Sequence, residues 1–385
     1  MRGRGGNIRG RGKNMRPPFL GRTFSRPVYD EYFFTSSEET EQKDDESGLA
    51  EELRKKDALL KPTLEDEASL RNLLTKITGI ADNLIVAPGS FTGCQLEEVR
   101  AVGSFKKNTM TRLNLAPDVV FVLKTLPMKE AVEQLAQKVN EDLRAQGGIL
   151  GSYVECNNRG FTIHAEGRKV HCLVATIPQN IRNLDRELHL DAKVVIANSC
   201  AIKHSRWFEE NGHHPSVRVL ARVLRDLAAR FPGLNPLKPW IIDFLAHHCI
   251  MVTESGYTLS AAQGFHRALA LLAAGIFLPL SSSIADPIAD RMMYKIHGSL
   301  PLEDQDLVCM TAQSLVRILH HGGWKQILGL EGKLNLDKPV IINGITISPQ
   351  ERVYERPVKA EDGSDNTGNE EMENEENMIP AMLTG

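Results

Sequence analysis

The sequence predicts a mixed α/β lobe followed by a helical lobe, and three features carry that expectation. Asp118 to Lys124 (DVVFVLK) is a short, mostly apolar run of the kind that forms a strand buried on both faces. An amphipathic helical pattern follows from Met128 to Gln146, and then a second apolar run, Val170 to Thr176 (VHCLVAT), which Pro178 stops. Strand alternating with helix points to a layered sheet. From about Asp191 to Gly329 the patterning is mostly helical.

Taken in order, residues 1–27 form an Arg-Gly tract with Arg2, Arg4, Arg9, Arg11, Lys13, Arg16, Arg22 and Arg26 and no acid. Glycine keeps such a tract flexible, and guanidinium groups pair with phosphate and stack on bases. It reads as a non-specific RNA- or DNA-contacting tail, open to arginine methylation; a solubilising tail is the plainer alternative. Residues 28–63 read as an acidic linker or extension, centred on the low-hydrophobicity stretch 36–52 (SSEETEQKDDESGLAEE). An α/β lobe is expected over residues 64–200. It opens with a helix carrying Leu70, Leu73, Leu74, Ile77 and Ile80, followed by a short strand from Glu97 to Val102. In the helix at 128–146, Val132, Leu135, Val139 and Leu143 share one face, and Gly147-Gly148 ends it.

The helical lobe is expected over residues 201–350. Ser216 suits an N-cap, with Leu220, Leu224, Leu227 and Phe231 on one face before Pro232-Gly233. Pro239 suits the first position of a helix bearing Trp240, Ile241, Phe244, Leu245 and Ile250. Residues 260–278 and 303–321 are further helices, the second closed by Gly322-Gly323. Residues 351–385 form an acidic tail, in which 360–378 hold eight acids and no base.

Composition excludes several classes. The 385 residues suffice for two or three domains of roughly 100–200 residues each. The formal net charge of −3 conceals two oppositely charged ends. The longest apolar run, Ala268 to Leu280, falls short of the roughly 20 residues a membrane span needs, so no membrane partner is expected. No apolar signal core lies near the start. The glycines and Pro17-Pro18 would break the helix that a mitochondrial presequence requires. Six scattered cysteines form no CxxC pair, which argues against a zinc ribbon and for a reduced intracellular protein. His-His pairs at 213–214, 247–248 and 320–321 lack ligand spacing, so no metal site is expected.

The informative stretch is Val102-Gly103-Ser104-Phe105-Lys106-Lys107-Asn108-Thr109, followed after a gap by Asp118-Val119-Val120-Phe121. A Gly-Ser turn between a strand and a helical turn brings backbone N–H groups and a hydroxyl near a phosphate. Thirteen residues separate Ser104 from Asp118, which resembles the nucleotidyltransferase superfamily pattern. In active members, as the resemblance implies, two carboxylates two residues apart on one strand and a third on a neighbouring strand hold two divalent metals. Here Asp118 fills the first acidic position, Val120 stands in the second, and Val170 to Thr176 carries no carboxylate. Asn108 stands where many members have glycine. The expectation is a scaffold without metals, catalytic residues or a required cofactor. Nucleotide binding without turnover stays open through Gly103, Ser104, Lys106, Lys107 and Thr109.

The stretches VRAVGSFKKNTMTR, LDRELHLDAKVV, RWFEEN, RFPGLNPLKPWIIDFL, AAGIFLPL and DLVCMTAQSLVRILHHGGW, in this order over roughly residues 64–330, resemble the DZF domain, the domain associated with zinc fingers. The resemblance implies a catalytically incompetent nucleotidyltransferase-like subunit. It would pair, DZF to DZF, with a larger partner carrying double-stranded-RNA-binding domains or zinc fingers. It also implies RNA and DNA binding in RNA metabolism and transcription regulation, in the nucleus with some cytoplasmic presence. An active template-independent nucleotidyltransferase and an NTP-sensing subunit are the alternatives.

The resemblance places the pairing contact in the C-terminal lobe, and the 303–321 helix is the candidate, with Leu307, Met310, Thr311, Ser314 and Ile318 at the interface. Burial within the chain explains the same apolar positions. Arg218, Arg222 and Arg225 recur at helical spacing as one basic face, read first as surface ion pairs and alternatively as a phosphate-binding face. Trp207 and Trp240 read as core rather than as base-stacking platforms.

Overall fold

The computed structural model describes residues 42–146, 151–253, 256–289 and 294–352. The Arg-Gly tract, Gly147-Gly148 and the acidic tail from residue 353 lie outside the described residues. An α/β lobe is followed by a helical lobe, as the patterning predicts.

The α/β lobe starts with α2 (Leu64–Val86), so numbered because α1 (Gln42–Leu60) precedes it. Thr63 caps α2 through a reciprocal box: its hydroxyl accepts from the Asp66 N–H at 3.0 Å, and the Asp66 carboxylate accepts from the Thr63 N–H at 3.3 Å. Glu65, Asp66 and Glu67 then complement the positive end of the helix dipole. Five strands follow: β1 (Leu96–Val102), β2 (Asp118–Leu123), β3 (Tyr153–Asn157), β4 (Gly160–Ala165) and β5 (Arg168–Thr176). The sheet order is β1-β2-β5-β4-β3; β2 and β5 run parallel and every other pair is antiparallel. The short α3 (Gly103–Lys106) follows β1, and α4 (Lys129–Ala145) follows β2.

Helices α2 and α4 cover one face of the sheet. Leu73, Ile77, Ile80, Val132, Leu135, Val139 and Leu143 form one core with Val119, Phe121, Leu123, Phe161, Ile163 and Val174. The opposite face holds a smaller cluster of Val102, Val120, Val122, Leu173 and Ala175, packed against Ala201 and Ile202 of α5 (Ala192–Asn211). Residue 200, expected as the boundary between lobes, therefore falls inside a helix that packs on the sheet. The β3–β4 hairpin was not expected, because its exposed strand β3 lacks a strong apolar signal.

The helical lobe contains α6 (Pro215–Arg230), α7 (Pro239–Met251), α8 (Ala261–Ala273), α9 (Leu302–His320) and the short α10 (Trp324–Ile327), with a small hairpin of β6 (Val340–Ile342) and β7 (Ile345–Ile347). The N-cap of α6 is His214, whose Nδ1 accepts from the Ser216 N–H, with Pro215 in the first turn; Ser216 itself is already helical. The apolar helix expected at 260–278 stops at Ala273, and the chain turns at Gly275.

The linker reading of residues 28–63 is corrected over Gln42–Leu60, which form α1, while 28–41 lie outside the described residues. Leu49, Leu53 and Leu60 of α1 are buried in the core of the helical lobe, beside Leu220, Leu224 and Leu245. The acidic composition of 36–52 hides a helical apolar spacing that continues to residue 60. The helical lobe is thus built from both sides of the α/β lobe in sequence. Leu53→Ala should destabilise the whole protein by about 2–5 kcal/mol in chemical denaturation, as a core truncation does; a linker leucine would give no measurable change.

Candidate functional site

The site expected from sequence lies where β1 turns into α3. Gly103 adopts φ +70°, and a Cβ there would sit 2.1 Å from Asp118 Oδ2, so only glycine lets the carboxylate lie against the turn. The Gly103 N–H donates to Ser205 Oγ of α5 at 3.2 Å, and the Thr109 N–H donates to the Ser104 carbonyl at 2.8 Å. Asn108 closes the turn at φ +56°, a left-handed conformation that asparagine tolerates. Ser104 is half-buried and Asn108 exposed.

The lysines of the turn point away from a shared phosphate site. Lys106 is exposed and pairs with Glu209 of α5 at 2.8 Å. Lys107 is 6% exposed, and its Nζ donates to Asp243 Oδ2 of α7 at 2.8 Å. The same ammonium lies 5.5 Å from the Trp240 ring centre and 5.7 Å from that of Phe208. Asp243 is fully buried, and Arg225 of α6 grips its other oxygen. Burial alone would raise the Asp243 pKa, but the charges of Arg225 and Lys107 overrule it and hold the carboxyl below its ordinary value.

The basic face expected at Arg218, Arg222 and Arg225 is likewise corrected. Arg222 is buried, donates to Asp57 of α1 at 2.6 Å, and donates to the Asn108 carbonyl at 2.8 Å. Arg225 donates to the Thr109 carbonyl at 3.0 Å. Arg218 Nε is buried without a hydrogen-bond partner. Lys56 and Arg230 meet on Asp226 at 3.0 and 2.8 Å. These side chains form a junction that ties the turn to α1, α6 and α7. Thr109 is wholly buried, and its Oγ1 has no hydrogen-bond partner.

Sequence reasoning missed Asp57, Asp226 and Asp243. The signal was present for Asp243, a lone acid inside the apolar helix PWIIDFLAHHCIM, because an isolated buried charge must find a counter-ion.

Asp118 faces the turn. Burial raises its pKa to about 6, although Arg159, Lys107 and Arg225 pull the other way. The register aligns Val102, Asp118, His171, Thr162 and Glu155 across the sheet, and the next row holds Arg100, Val120, Leu173, Gly160 and Asn157. The two strand positions beyond Asp118 on this face are therefore Val120, at 0% exposure, and Leu173, at 4%, both under α5. A pair of hard divalent cations needs several oxygen ligands. One carboxylate beside an aliphatic cluster does not fit them, and among the described residues no group of three or more His, Cys, Asp or Glu could hold a metal ion. Two cavities flank the turn, of about 410 and 280 Å3, and neither is lined by Ser104, Thr109 or Asp118.

Trp207 and Trp240 are half-buried in an aromatic cluster between α5 and α7. His204 stacks on Trp240 at 4.0 Å, and Trp207 meets Trp240 edge-on at 5.5 Å. Burial and the nearby Lys107 lower the His204 pKa to about 3, so it is neutral.

In α9 the expected interface residues face mainly inward. Thr311, Ser314 and Ile318 are buried within the chain, and Leu307 and Met310 are half-buried. The Thr311 and Ser314 hydroxyls donate to the carbonyls of Leu307 and Met310, at 2.7 and 3.3 Å. The α9 positions were chosen from an all-round apolar pattern, and the lobe's own core takes up that surface.

A family model of the DZF N-terminal domain matches residues 14–213, and one of the DZF C-terminal domain matches residues 216–348. Among solved structures, the chain is similar to CdnC of E. coli MS115-1 determined with ATP, at 12% identity and a TM-score of 0.49, over 75% of this chain and 98% of that one. It is also similar to the Cid1 poly(U) polymerase, at 11% identity and a TM-score of 0.48, over 71% of this chain and 94% of that one.

Two measurements test the junction. Asp243→Ala leaves Lys107 and Arg225 buried without their counter-ion and should cost about 3–5 kcal/mol in urea denaturation. Asp118 behaves oppositely. Folding raises its pKa from 3.8 to about 6, so the stability its protonated form contributes is full below pH 4 and lost as pH rises through 6. Asp118→Asn should therefore be more stable than the parent above pH 6, and its stability should lack the parent's decline between pH 4 and 6.

Proposed function

The chain belongs to the DZF family, and from that premise we propose that it is a catalytically silent, nucleotidyltransferase-like subunit that pairs with a second DZF protein and contributes affinity for nucleic acid. One observation carries the loss of activity: Val120 and Leu173, on the face that Asp118 shares, belong to an aliphatic cluster seated under α5. Two-metal nucleotidyl transfer needs carboxylates to align the triphosphate and activate the attacking hydroxyl. A valine and a leucine supply neither charge nor lone pairs.

The nucleotide reading is weakened by Lys107. Its ammonium is held by Asp243 in a buried pair, and withdrawing it toward a phosphate would strand that carboxylate. Phosphate contact would fall to Ser104 and Lys106 alone, so the subunit works without bound NTP and without a cofactor.

Pairing is assigned to the helical lobe, opposite a larger DZF partner with double-stranded-RNA-binding domains or zinc fingers. Leu307 and Met310, which are half-buried on α9, are the members of the expected set that we take to contact it. The Arg-Gly tract supplies electrostatic, sequence-independent contact with RNA or DNA, in keeping with a role in RNA metabolism and transcription regulation in the nucleus, with some presence in the cytoplasm. No helix among the described residues is long and apolar enough to cross a membrane.

A nucleotide-incorporation assay with Mg²⁺ or Mn²⁺ tests the central claim. The parent and Asp118→Ala should both give background incorporation; metal-dependent activity in the parent that the variant loses would overturn the reading.

A further inference from the structure

Helix α5 crosses β1, β2 and β5 and leaves the outer part of that sheet face open. There the register places Tyr153, His164 and Lys169 side by side on β3, β4 and β5. The opposite side of these strands faces α4 through Val154, Phe161 and Ile163, so the row points away from the core. Tyr153 is 56% exposed, at the start of the edge strand β3. Its ring lies flat on His164, with centroids 4.4 Å apart and planes 2° from parallel. The His164 ring lies beneath it, with its Nε2 buried, 3.4 Å from Glu155 Oε2 and without a hydrogen bond.

A cavity of about 470 Å3 opens beside this stack, lined by Leu113, Tyr153, His164, Glu166, Arg168 and Lys169. Arg168 is committed to Asp66 of α2 at 2.7 Å, whereas Lys169 is exposed and in no ion pair among the described residues. Along the same face the next row carries Glu155, Thr162 and His171, and Arg159 stands exposed at the β3–β4 turn, donating to Asn198 Oδ1 at 3.5 Å and close enough to His171 to help lower its pKa after burial and Lys169. The face thus combines a flat ring stack, hydrogen-bonding side chains and two separated cations, with the Glu155 carboxylate between the rows' ends on β3.

We propose that the open β3–β4–β5 face is a binding platform for single-stranded nucleic acid. One base stacks on Tyr153, and backbone phosphates lie toward Lys169 and Arg159. Every base has a π-face, so stacking on an aromatic is tolerant of sequence, and an open sheet with a projecting aromatic is a recurring form of single-strand recognition. A duplex keeps its bases stacked internally and cannot use the ring. A protein partner is disfavoured by the polar character of the rows. The proposal rests on the nucleic-acid reading above but assigns it to a second place, within the folded lobe.

The test uses the full chain and a fluorescein-labelled oligouridylate, read by anisotropy over a series of salt concentrations. Tyr153→Ala should weaken binding about tenfold, and Tyr153→Phe should keep the parent affinity within about twofold, because the ring acts and not the hydroxyl. Lys169→Ala should reduce the slope of log affinity against log salt by about 0.7. Equal affinity of Tyr153→Ala and the parent overturns the platform, as does a preference for duplex that Tyr153→Ala leaves intact. Deleting residues 1–27 separates the two readings. If only the deletion weakens binding, the tail stands and the platform falls; if only Tyr153→Ala does, the platform stands and the tail reading falls.

Discussion

The buried carboxylate of Asp243 is the constraint from which the rest of the junction follows. It is fully enclosed, and an ionised carboxylate in that position costs several kcal/mol unless it is paired and hydrogen-bonded. Its two partners come from different lobes: Lys107 from the turn after β1, and Arg225 from α6. Satisfying one charge therefore fixes how the lobes meet. Arg222 repeats the device one helical turn away, joining Asp57 of α1 to the Asn108 carbonyl. The turn that in the nucleotidyltransferase pattern receives phosphate is here tied to α1, α6 and α7, and its second lysine is held in a buried ion pair.

The same exchange of ligand chemistry for packing appears on the sheet. A metal-binding strand must keep carboxylates solvated or coordinated, which leaves the strand face unable to pack closely. With Val120, Val122, Leu173 and Ala175 on this face, α5 rests directly on the sheet, and the cluster gains hydrophobic stabilisation of roughly 25 cal/mol per Å2 buried. Asp118 is left as the acid of this face beside the turn, raised toward neutrality by burial. Gly103 adjoins both the junction and this face, and its lack of a Cβ lets the Asp118 carboxylate lie against the turn.

One sheet face is thus divided. Over β2 and the later part of β5, at Val120, Val122, Leu173 and Ala175, it is covered by α5; over β3, β4 and the start of β5 it carries Tyr153, Glu155, Asn157 and Lys169 in the open. A β-sheet needs only one buried face, and the α2–α4 layer supplies it, so the outer strands tolerate polar and aromatic side chains on the other.

Much of this was legible in the amino-acid sequence. Strands Asp118–Leu123 and Arg168–Thr176 and helices α2, α4, α6, α7 and α9 announced themselves by periodicity and by Pro and Gly punctuation, because each buries a continuous face. The aliphatic side chain at Val120 was equally plain, since whether a side chain carries a carboxylate is fixed by residue identity alone. Tertiary structure alone decided the partnerships. Arg222 and Asp57 are 165 residues apart, and nothing local distinguishes a buried arginine from a solvated one at the same helical spacing. Leu49 and Leu53 were masked by acidic neighbours until α1 found the helical core. Whether Ile318 meets a partner or its own lobe depends on what covers it. Sequence determines which side chains can form a charge pair or an apolar face; only the folded chain, by bringing distant elements within a few ångströms, decides which of them do.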